Sequence, residues 1–150
     1  MERRDPLMLR LALILLSLLA PTAWSADRSL VLAVSSDSPI TTLDAHDVRL
    51  LFLGHTVRVQ GRTVIPIRNL TERTIDEIFL QSVVAMSATR YDRYTLRLAL
   101  QQGRPRPVEI SSAAALVRNL ESNPLAVSYA WETDVRANPR LRILRVLWRE

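Results

Sequence analysis

The chain has 150 residues, with 20 basic residues against 15 acidic residues and no cysteine. The absence of cysteine excludes disulfide bonds, thiol catalysis and cysteine metal sites. All the basic residues are arginine, but the positive excess is modest and spread along the chain. Because the sequence has no groove-reading motif and no set of stacking aromatic residues, nucleic acid is not expected as a partner.

The N-terminal segment has the pattern of a signal peptide. Arg3 and Arg4 precede the apolar residues 11–20, and Ala23 and Ser25 supply the small side chains of a cleavage site. The apolar run is about half the roughly 20 residues that a transmembrane helix needs. Cleavage is therefore favoured over the alternative, an uncleaved membrane anchor, and export to the periplasm is predicted.

Removal of the signal peptide, residues 1–25, leaves residues 26–150 as the predicted single domain. These residues carry 17 arginines against 13 acids, a formal net charge of +4. A chain of this length buries roughly two thirds of the surface that its unfolded form exposes. We therefore expect one hydrophobic core that is stabilised by packing.

The first predicted elements are a buried strand and a capped helix. Residues 29–34 read SLVLAV, a short apolar run typical of a buried strand. Asp44 then has the position of a helix N-cap, with Leu43 and Val48 as its hydrophobic staple. Gly54 follows the apolar run and predicts the end of this helix.

Two extended segments follow this first helix. Residues 56–59 and 63–67, TVRV and TVIPI, flank Gln60 and Gly61, which predicts a tight turn between two strands. Pro66 cannot donate a backbone hydrogen bond, so the second segment is expected at a sheet edge or at a strand end.

The middle of the chain predicts two further helices. For the first, Thr71 is the expected cap, with Leu70 and Ile75 as the staple. For the second, Ser87 is the expected cap and Gly103 the expected end. One face of this second helix is basic, and its residues are Arg90, Arg93 and Arg97.

The C-terminal part predicts a fourth helix between extended segments. Ser111 or Ser112 can cap this helix, and Pro124 follows its end. Residues 125–131 form a predicted strand, whereas residues 141–148 fit either a strand or a helical stripe. The alternation of strands and helices predicts an α/β fold, a mixed sheet flanked by helices.

Several segments in this order resemble those of type 2 periplasmic binding proteins. The segments LDAHDVRLLFLG, VIPI and IFLQSVV follow one another as in that family, and VEISSAAALV and SYAW stand in corresponding later places. The resemblance covers most of residues 26–150 and is to the phosphate-binding-protein-like members. It implies a substrate-binding domain without a cofactor, which serves an ABC transporter.

The resemblance also implies an anion site. Family members hold phosphate with an Arg-x-x-Gly-Ser-Gly-Thr-like segment, and the corresponding segment here reads RNLTERT. Arg68 matches the family arginine and Thr74 can match the final threonine, but the glycines are replaced. Because glycine allows the backbone to approach an anion closely, tight phosphate binding is not expected. The candidate ligand-binding residues are Ser35, Ser36, Arg68, Asn69, Thr71, Thr74, Ser111 and Ser112.

Each of these candidates also has a structural interpretation. Thr71 can act only as a helix cap, and Arg68 can be a surface ion-pair partner of Glu72. Ser35, Ser36, Ser111 and Ser112 can converge on the same crevice, or can serve only as turn and cap residues.

The sequence contains no recognisable catalytic or metal site. It has no Gly-x-Ser-x-Gly elbow and no His-Glu-x-x-His pair. His46 lies between Asp44 and Asp47, but on a helix these side chains fan around the axis instead of converging on a metal. His55 has no evident partner ligands, so we expect a protein that is not an enzyme.

Two functions are consistent with the sequence. The first is a periplasmic solute-binding-like protein that binds a small anion such as phosphate weakly, in association with a membrane permease or sensor. The second is an envelope interaction or scaffold protein that has lost the ligand loop. The replaced glycines in the RNLTERT segment favour the second function.

Overall fold

The computed structural model describes residues 28–150. The predicted signal peptide, residues 1–25, lies outside the described residues. The strands are β1 (Ser29–Ser35), β2 (Arg58–Val59), β3 (Arg62–Thr63), β4 (Ile65–Asn69), β5 (Val108–Ile110), β6 (Ala126–Trp131) and β7 (Leu141–Arg149). The helices are α1 (Ala45–Phe52), α2 (Arg73–Phe79), α3 (Ala88–Gln102), α4 (Ala113–Ser122) and α5 (Glu132–Arg136), and a π-helical segment, Leu80–Val84, continues α2.

Five of the strands form one mixed sheet in the order β5-β4-β6-β1-β7. Strand β4 runs parallel to both β5 and β6, whereas β1 runs antiparallel to both β6 and β7. The short strands β2 and β3 pair separately as a hairpin. The predicted α/β class, a mixed sheet flanked by helices, is confirmed.

The sheet buries apolar side chains on both of its faces. Along β1, Leu30, Leu32 and Val34 enter the larger core cluster, which also takes residues from α1, α2, the π-helical segment and α3. Val31 and Ala33 point to the other face, where α5 packs, and α4 covers the neighbouring part of that face. Residues 28–150 thus bury apolar clusters on both faces of the sheet, with a helical layer on each side.

Three of the predicted helix caps are confirmed by their hydrogen bonds. The Asp44 carboxylate accepts from the Asp47 backbone N–H at 2.7 Å, and the Ser87 hydroxyl accepts from the Arg90 N–H at 3.3 Å. Ser112 caps α4 in the same way. Each side chain satisfies one of the amide groups that the first turn of a helix leaves unpaired. Gly54 and Gly103 end α1 and α3 with left-handed backbone angles.

The predicted cap of α2 is wrong. The helix begins at Arg73, and Glu72 is its N-cap residue, without a side-chain capping bond. The Thr71 hydroxyl instead donates to the Asn69 side-chain oxygen at 2.7 Å. Asn69 competes successfully for this hydroxyl because side chains of this type close local turns onto the residue two positions ahead.

The segment TVIPI, residues 63–67, is divided between two sheets. Thr63 ends β3, and the chain continues into β4, which lies between β5 and β6. Pro66 is the second residue of β4, so it lies at a strand end as expected, but β4 is not an edge strand. The ambiguous residues 141–148 belong to a strand, β7.

Candidate functional site

Arg68 lies near the end of β4 and is buried, with 4% of its surface exposed. Its Nε donates to Oδ1 of Asp76 at 3.0 Å, and its Nη2 donates to Oδ2 of the same carboxylate at 2.7 Å. Asp76 lies in the first turn of α2 and is equally buried. The pair has the two-bonded geometry that a planar guanidinium and a carboxylate prefer.

The remaining terminal nitrogen of Arg68 is also occupied. Nη1 donates to Asp92 on α3 and to Glu109 on β5, the latter at 3.0 Å. Arg106 reaches the same Glu109 carboxylate at 3.3 Å. Three carboxylates thus face two guanidinium groups. This balance disfavours an additional anion at Arg68.

Two tyrosines enclose the ion pair. The Tyr129 hydroxyl donates to Oδ1 of Asp76 at 2.7 Å, and the guanidinium carbon of Arg68 lies 5.0 Å from the centre of the Tyr91 ring. Burial raises the pKa of the Tyr129 phenol, and the neighbouring Asp76 charge raises it further. Burial likewise raises the pKa of Tyr91. Both phenols are therefore neutral at ordinary pH.

Hydrogen bonds also hold Arg68 in its charged form. Burial alone lowers the pKa of Arg68, but the hydrogen bonds to Asp76 and Asp92 outweigh that effect and raise the pKa. Within residues 28–150, no buried side-chain nitrogen or oxygen atom lacks a hydrogen-bond partner. The arginine thus serves as a cross-link between β4, α2, α3 and β5.

The polar residues after Arg68 bond to one another. The Asn69 amide nitrogen donates to the Tyr129 carbonyl at 2.7 Å, and the Asn69 oxygen accepts from both the N–H and the hydroxyl of Thr71. These bonds turn the chain from β4 toward α2. Thr74 lies beyond this turn on α2 and is exposed.

Ser111 and Ser112 lie at the same end of the sheet as Thr71. The Leu70 N–H donates to the Ile110 carbonyl at 2.8 Å, which places the ends of β4 and β5 side by side. Ser112 is used as the α4 cap, and Ser111 is exposed. The structure therefore brings these two serines near Asn69 and Thr71.

Ser35 and Ser36 lie at the opposite end of the sheet. Because β1 runs antiparallel to β6, Ala33 pairs with Ser128, and Ser35 falls at the level where β6 begins. Strand β4 runs parallel to β6, so Asn69 lies toward the other end of β6. The expectation that all four serines converge on one crevice is therefore wrong. The Ser35 hydroxyl accepts from the Asp37 N–H and closes a turn.

A small cavity lies between Asn69, Thr71 and the start of α4. Its volume is about 100 Å³. Most of its wall is apolar, with Ile75, Leu116 and Val135 among its lining residues, and no arginine faces it. This is well below the ~300 Å³ at which ligand pockets usually begin, and its chemistry does not suit an anion.

Sequence reasoning missed the partners of Arg68. The expected surface pair with Glu72 is wrong, since Arg68 is buried and the Glu72 carboxylate accepts from the Trp131 indole at 3.3 Å. The available signal was Asp76, an acidic residue that directly follows Ile75 on the apolar side of a predicted helix. A carboxylate at such a position indicates a buried basic partner.

Residues 28–150 lack both a membrane-spanning helix and a cluster of metal ligands. No helix in this part of the chain is long and apolar enough to span a bilayer. Among the same residues, no group of three or more histidine, aspartate and glutamate side chains could hold a metal ion.

No protein-family model matches the sequence, and no curated protein matches it. Solved structures do match, and one of them is PstS from Borrelia burgdorferi. It has a TM-score of 0.55 and 13% sequence identity, and the match covers 79% of this chain and 47% of that chain. A possible phosphate binding protein from Planctomyces limnophilus has a TM-score of 0.57 and 10% identity, with 79% and 41% covered. An ABC-type phosphate transport receptor from Vibrio cholerae has a TM-score of 0.49 and 16% identity, with 79% and 46% covered.

The chain spans less than half the length of these structures. At such low identity, the match shows the fold alone. The class that the fold defines is a mixed α/β protein similar to part of PstS and of the possible phosphate binding protein.

Proposed function

We propose that this protein is not an enzyme, and that it uses a solute-binding-protein fold for docking in the cell envelope, on a membrane sensor or permease. The observation that carries this proposal is the occupation of Arg68 by Asp76, Asp92 and Glu109. An arginine that is saturated by carboxylates of its own chain is not available to a small anion.

The surroundings of Arg68 support the same proposal. The turn formed by Asn69 and Thr71 satisfies its own polar groups, and the neighbouring cavity is small and mainly apolar. Ligand sites are concave and usually larger. The described residues form one five-stranded sheet with a helical layer on each face, and among them no second lobe lies opposite the Arg68 end of this sheet.

The second candidate function is weak phosphate binding, which the fold neighbours favour, since one of them is described as a possible phosphate binding protein. The residues that would take part at this end of the sheet are Arg68, Asn69, Thr71, Thr74, Ser111 and Ser112. Arg68 could contribute only if Asp92 and Glu109 moved away from it.

Location in the periplasm belongs to the same proposal. It rests on the signal-peptide pattern of residues 1–25, which predicts a domain that starts at residue 26. Mass spectrometry of the protein recovered from the periplasmic fraction should find an N-terminus near Ala26. Recovery of the chain with Met1 in the membrane fraction would contradict this location.

Calorimetry with phosphate and sulfate at low salt tests the proposed function. We expect an affinity no better than about millimolar, or roughly −4 kcal/mol. A micromolar phosphate affinity in the parent protein would overturn the docking proposal and indicate a phosphate-binding protein. In that case Arg68→Ala should abolish the binding, whereas Arg118→Ala, on an exposed face of α4, should preserve it.

A further inference from the structure

Helix α3 presents an exposed face that is basic and apolar at once. Arg90, Arg93 and Arg97 recur at helical spacing on this face, and all three are exposed. Within residues 28–150, none of the three forms a salt bridge. The acidic residue of α3, Asp92, bonds to Arg68 instead. The charged side chains on this face are therefore all cationic.

Two leucines lie beside these arginines. Leu96 is 48% exposed and Leu100 is 78% exposed, and among the described residues the other large hydrophobic side chain exposed to this degree is Val108. Leu96 and Leu100 are four positions apart on the helix, so their side chains are neighbours. Apolar surface that is concentrated beside a single type of charge marks an interaction site.

The arginines also line an open groove. Its volume is about 750 Å³, and its lining residues are Met86, Ser87, Arg90, Arg93, Tyr94 and Arg97. The Tyr94 hydroxyl donates to the Leu53 carbonyl at 3.3 Å, and the Arg97 guanidinium carbon lies 5.8 Å from the centre of the Tyr94 ring. This ring fixes one wall of the groove and orients one of its three cations.

We propose that the exposed face of α3 docks on an anionic lipid bilayer. The arginines would contact lipid phosphate groups in the groove, and Leu96 and Leu100 would enter the boundary between headgroups and acyl chains. The inference rests on the proposed envelope function and names the surface to which the protein binds. A helix with arginine and leucine on one exposed side suits an interface that offers anionic charge and apolar cover together.

An acidic protein segment is the competing occupant. Such a segment would neutralise the three arginines, but carboxylates alone would leave Leu96 and Leu100 in water. A bilayer satisfies both groups in one plane along the 15 residues of α3. The observations therefore favour the bilayer.

Vesicle sedimentation of the predicted mature chain, residues 26–150, tests the proposal. The protein should bind vesicles made of equal parts phosphatidylglycerol and phosphatidylcholine at low salt, and should not bind pure phosphatidylcholine vesicles. Replacing Arg90, Arg93 and Arg97 with glutamine should weaken this binding about 100-fold, since each cation near an anionic surface contributes about fivefold. Leu96→Ser with Leu100→Ser should weaken it about tenfold.

The control variant removes the same charge from the opposite helical layer. It changes three exposed arginines near α4 and α5, by the substitutions Arg118→Gln, Arg136→Gln and Arg140→Gln. This variant should bind the anionic vesicles within about twofold of the parent, because its arginines are far from the α3 face. Circular dichroism should show that every variant keeps the parent's fold.

Four results with the vesicles would overturn the proposal. They are a parent protein that does not bind phosphatidylglycerol vesicles, an arginine variant or a leucine variant that binds like the parent, and a control variant that loses as much as the arginine variant. Binding to polyglutamate in place of the vesicles would also overturn it and indicate an acidic protein partner. Phosphate calorimetry is a separate measurement, so failure here and failure of the proposed function are distinguishable.

Discussion

Arg68 and Asp76 are eight residues apart and form a two-bonded ion pair inside the core, at 3.0 and 2.7 Å. One residue lies near the end of β4 and the other in the first turn of α2, so the pair fixes how the helix leaves the sheet. A buried pair contributes little net stability when it is replaced as a whole, but removal of one partner leaves an uncompensated charge. Loss of Arg68 alone is therefore expected to cost more stability than replacement of the whole pair.

Arg68→Met should destabilise the protein by about 3–5 kcal/mol, because it leaves the buried Asp76 carboxylate without its cation. Urea unfolding followed by circular dichroism would measure the loss. Arg73→Met is the matched control, since it removes an exposed arginine that pairs with Glu77 on the helix surface. The control should leave the unfolding midpoint unchanged. If Arg68→Met shifts the midpoint no further than the control, the ion pair does not hold β4 and α2 together.

The raised pKa of Tyr129 predicts a loss of stability at alkaline pH. An unfolded tyrosine titrates near pH 10, and burial together with Asp76 raises the folded pKa above this value. Above about pH 10 the unfolded chain loses its phenolic proton first, so the folded state loses stability as the pH rises. The stability that the protonated Tyr129 phenol contributes should be fully present below about pH 10.

Urea unfolding at a series of alkaline pH values would measure this slope. Tyr129→Phe removes the titrating group and should make the decline shallower, although Tyr91 retains part of it because its pKa is also raised. An identical slope in Tyr129→Phe and in the parent would contradict the assignment. Ultraviolet difference spectra would show whether the phenols of the folded protein ionise near pH 10.

The turn after β4 predicts different costs for two neighbouring substitutions. Asn69→Ala removes the acceptor of the Thr71 N–H and hydroxyl and the donor to the Tyr129 carbonyl, so it should cost about 2–3 kcal/mol. Thr71→Ala removes one hydroxyl bond and should cost less than the ~1 kcal/mol of a lost helix cap. Thermal unfolding of both variants would measure the order. A larger cost for Thr71→Ala would indicate that Thr71 caps α2 after all.

The locally determined parts of the fold were predictable from the sequence. Asp44, Ser87 and Ser112 each bond to an amide three residues ahead, and such a bond depends on a few neighbouring residues. Gly54 and Gly103 were identifiable as helix ends because glycine adopts positive φ without strain. The continuous apolar run in 29–34 likewise follows from burial of both faces of β1.

The partners of Arg68 were not predictable, because Asp92 and Glu109 are 24 and 41 residues away in sequence. Only the tertiary packing of α3 and β5 brings their carboxylates to one guanidinium. The prediction that Thr71 caps α2 was wrong for a different reason. The same hydroxyl can serve a helix cap or a local turn, and here it bonds to the Asn69 side chain. Sequence patterns rank such alternatives poorly when each is common.

Ala85 predicts a stabilising substitution. It follows the π-helical segment with φ +62, a left-handed conformation that disfavours residues with a Cβ atom. Ala85→Gly should therefore raise the free energy of unfolding by up to about 1 kcal/mol. The matched control is Ala99→Gly within α3, which should lower it by about 1 kcal/mol. Equal losses in the two variants would contradict the strained conformation at Ala85.

The carboxylates around Arg68 are expected to prevent anion binding. Asp92 and Glu109 cover its Nη1 with side chains that are 49% and 40% exposed, whereas Asp76 is buried. Asp92→Asn with Glu109→Gln removes two negative charges at contact distance, each worth about 1 kcal/mol even in water. Arg68 should keep its bonds to Asp76, and phosphate affinity should rise by at least about tenfold.

Calorimetry with phosphate would compare this double variant with the parent and with a control, Glu77→Gln with Glu121→Gln. The control changes the net charge equally but removes carboxylates that pair with Arg73 and Arg140. A gain in the double variant and none in the control would show that the chain's own carboxylates occupy the place of an anion. An equal gain in both would mean that only the overall charge matters. No gain in either would locate the obstacle in the backbone of residues 70–73, where the glycines of the resembling family are replaced.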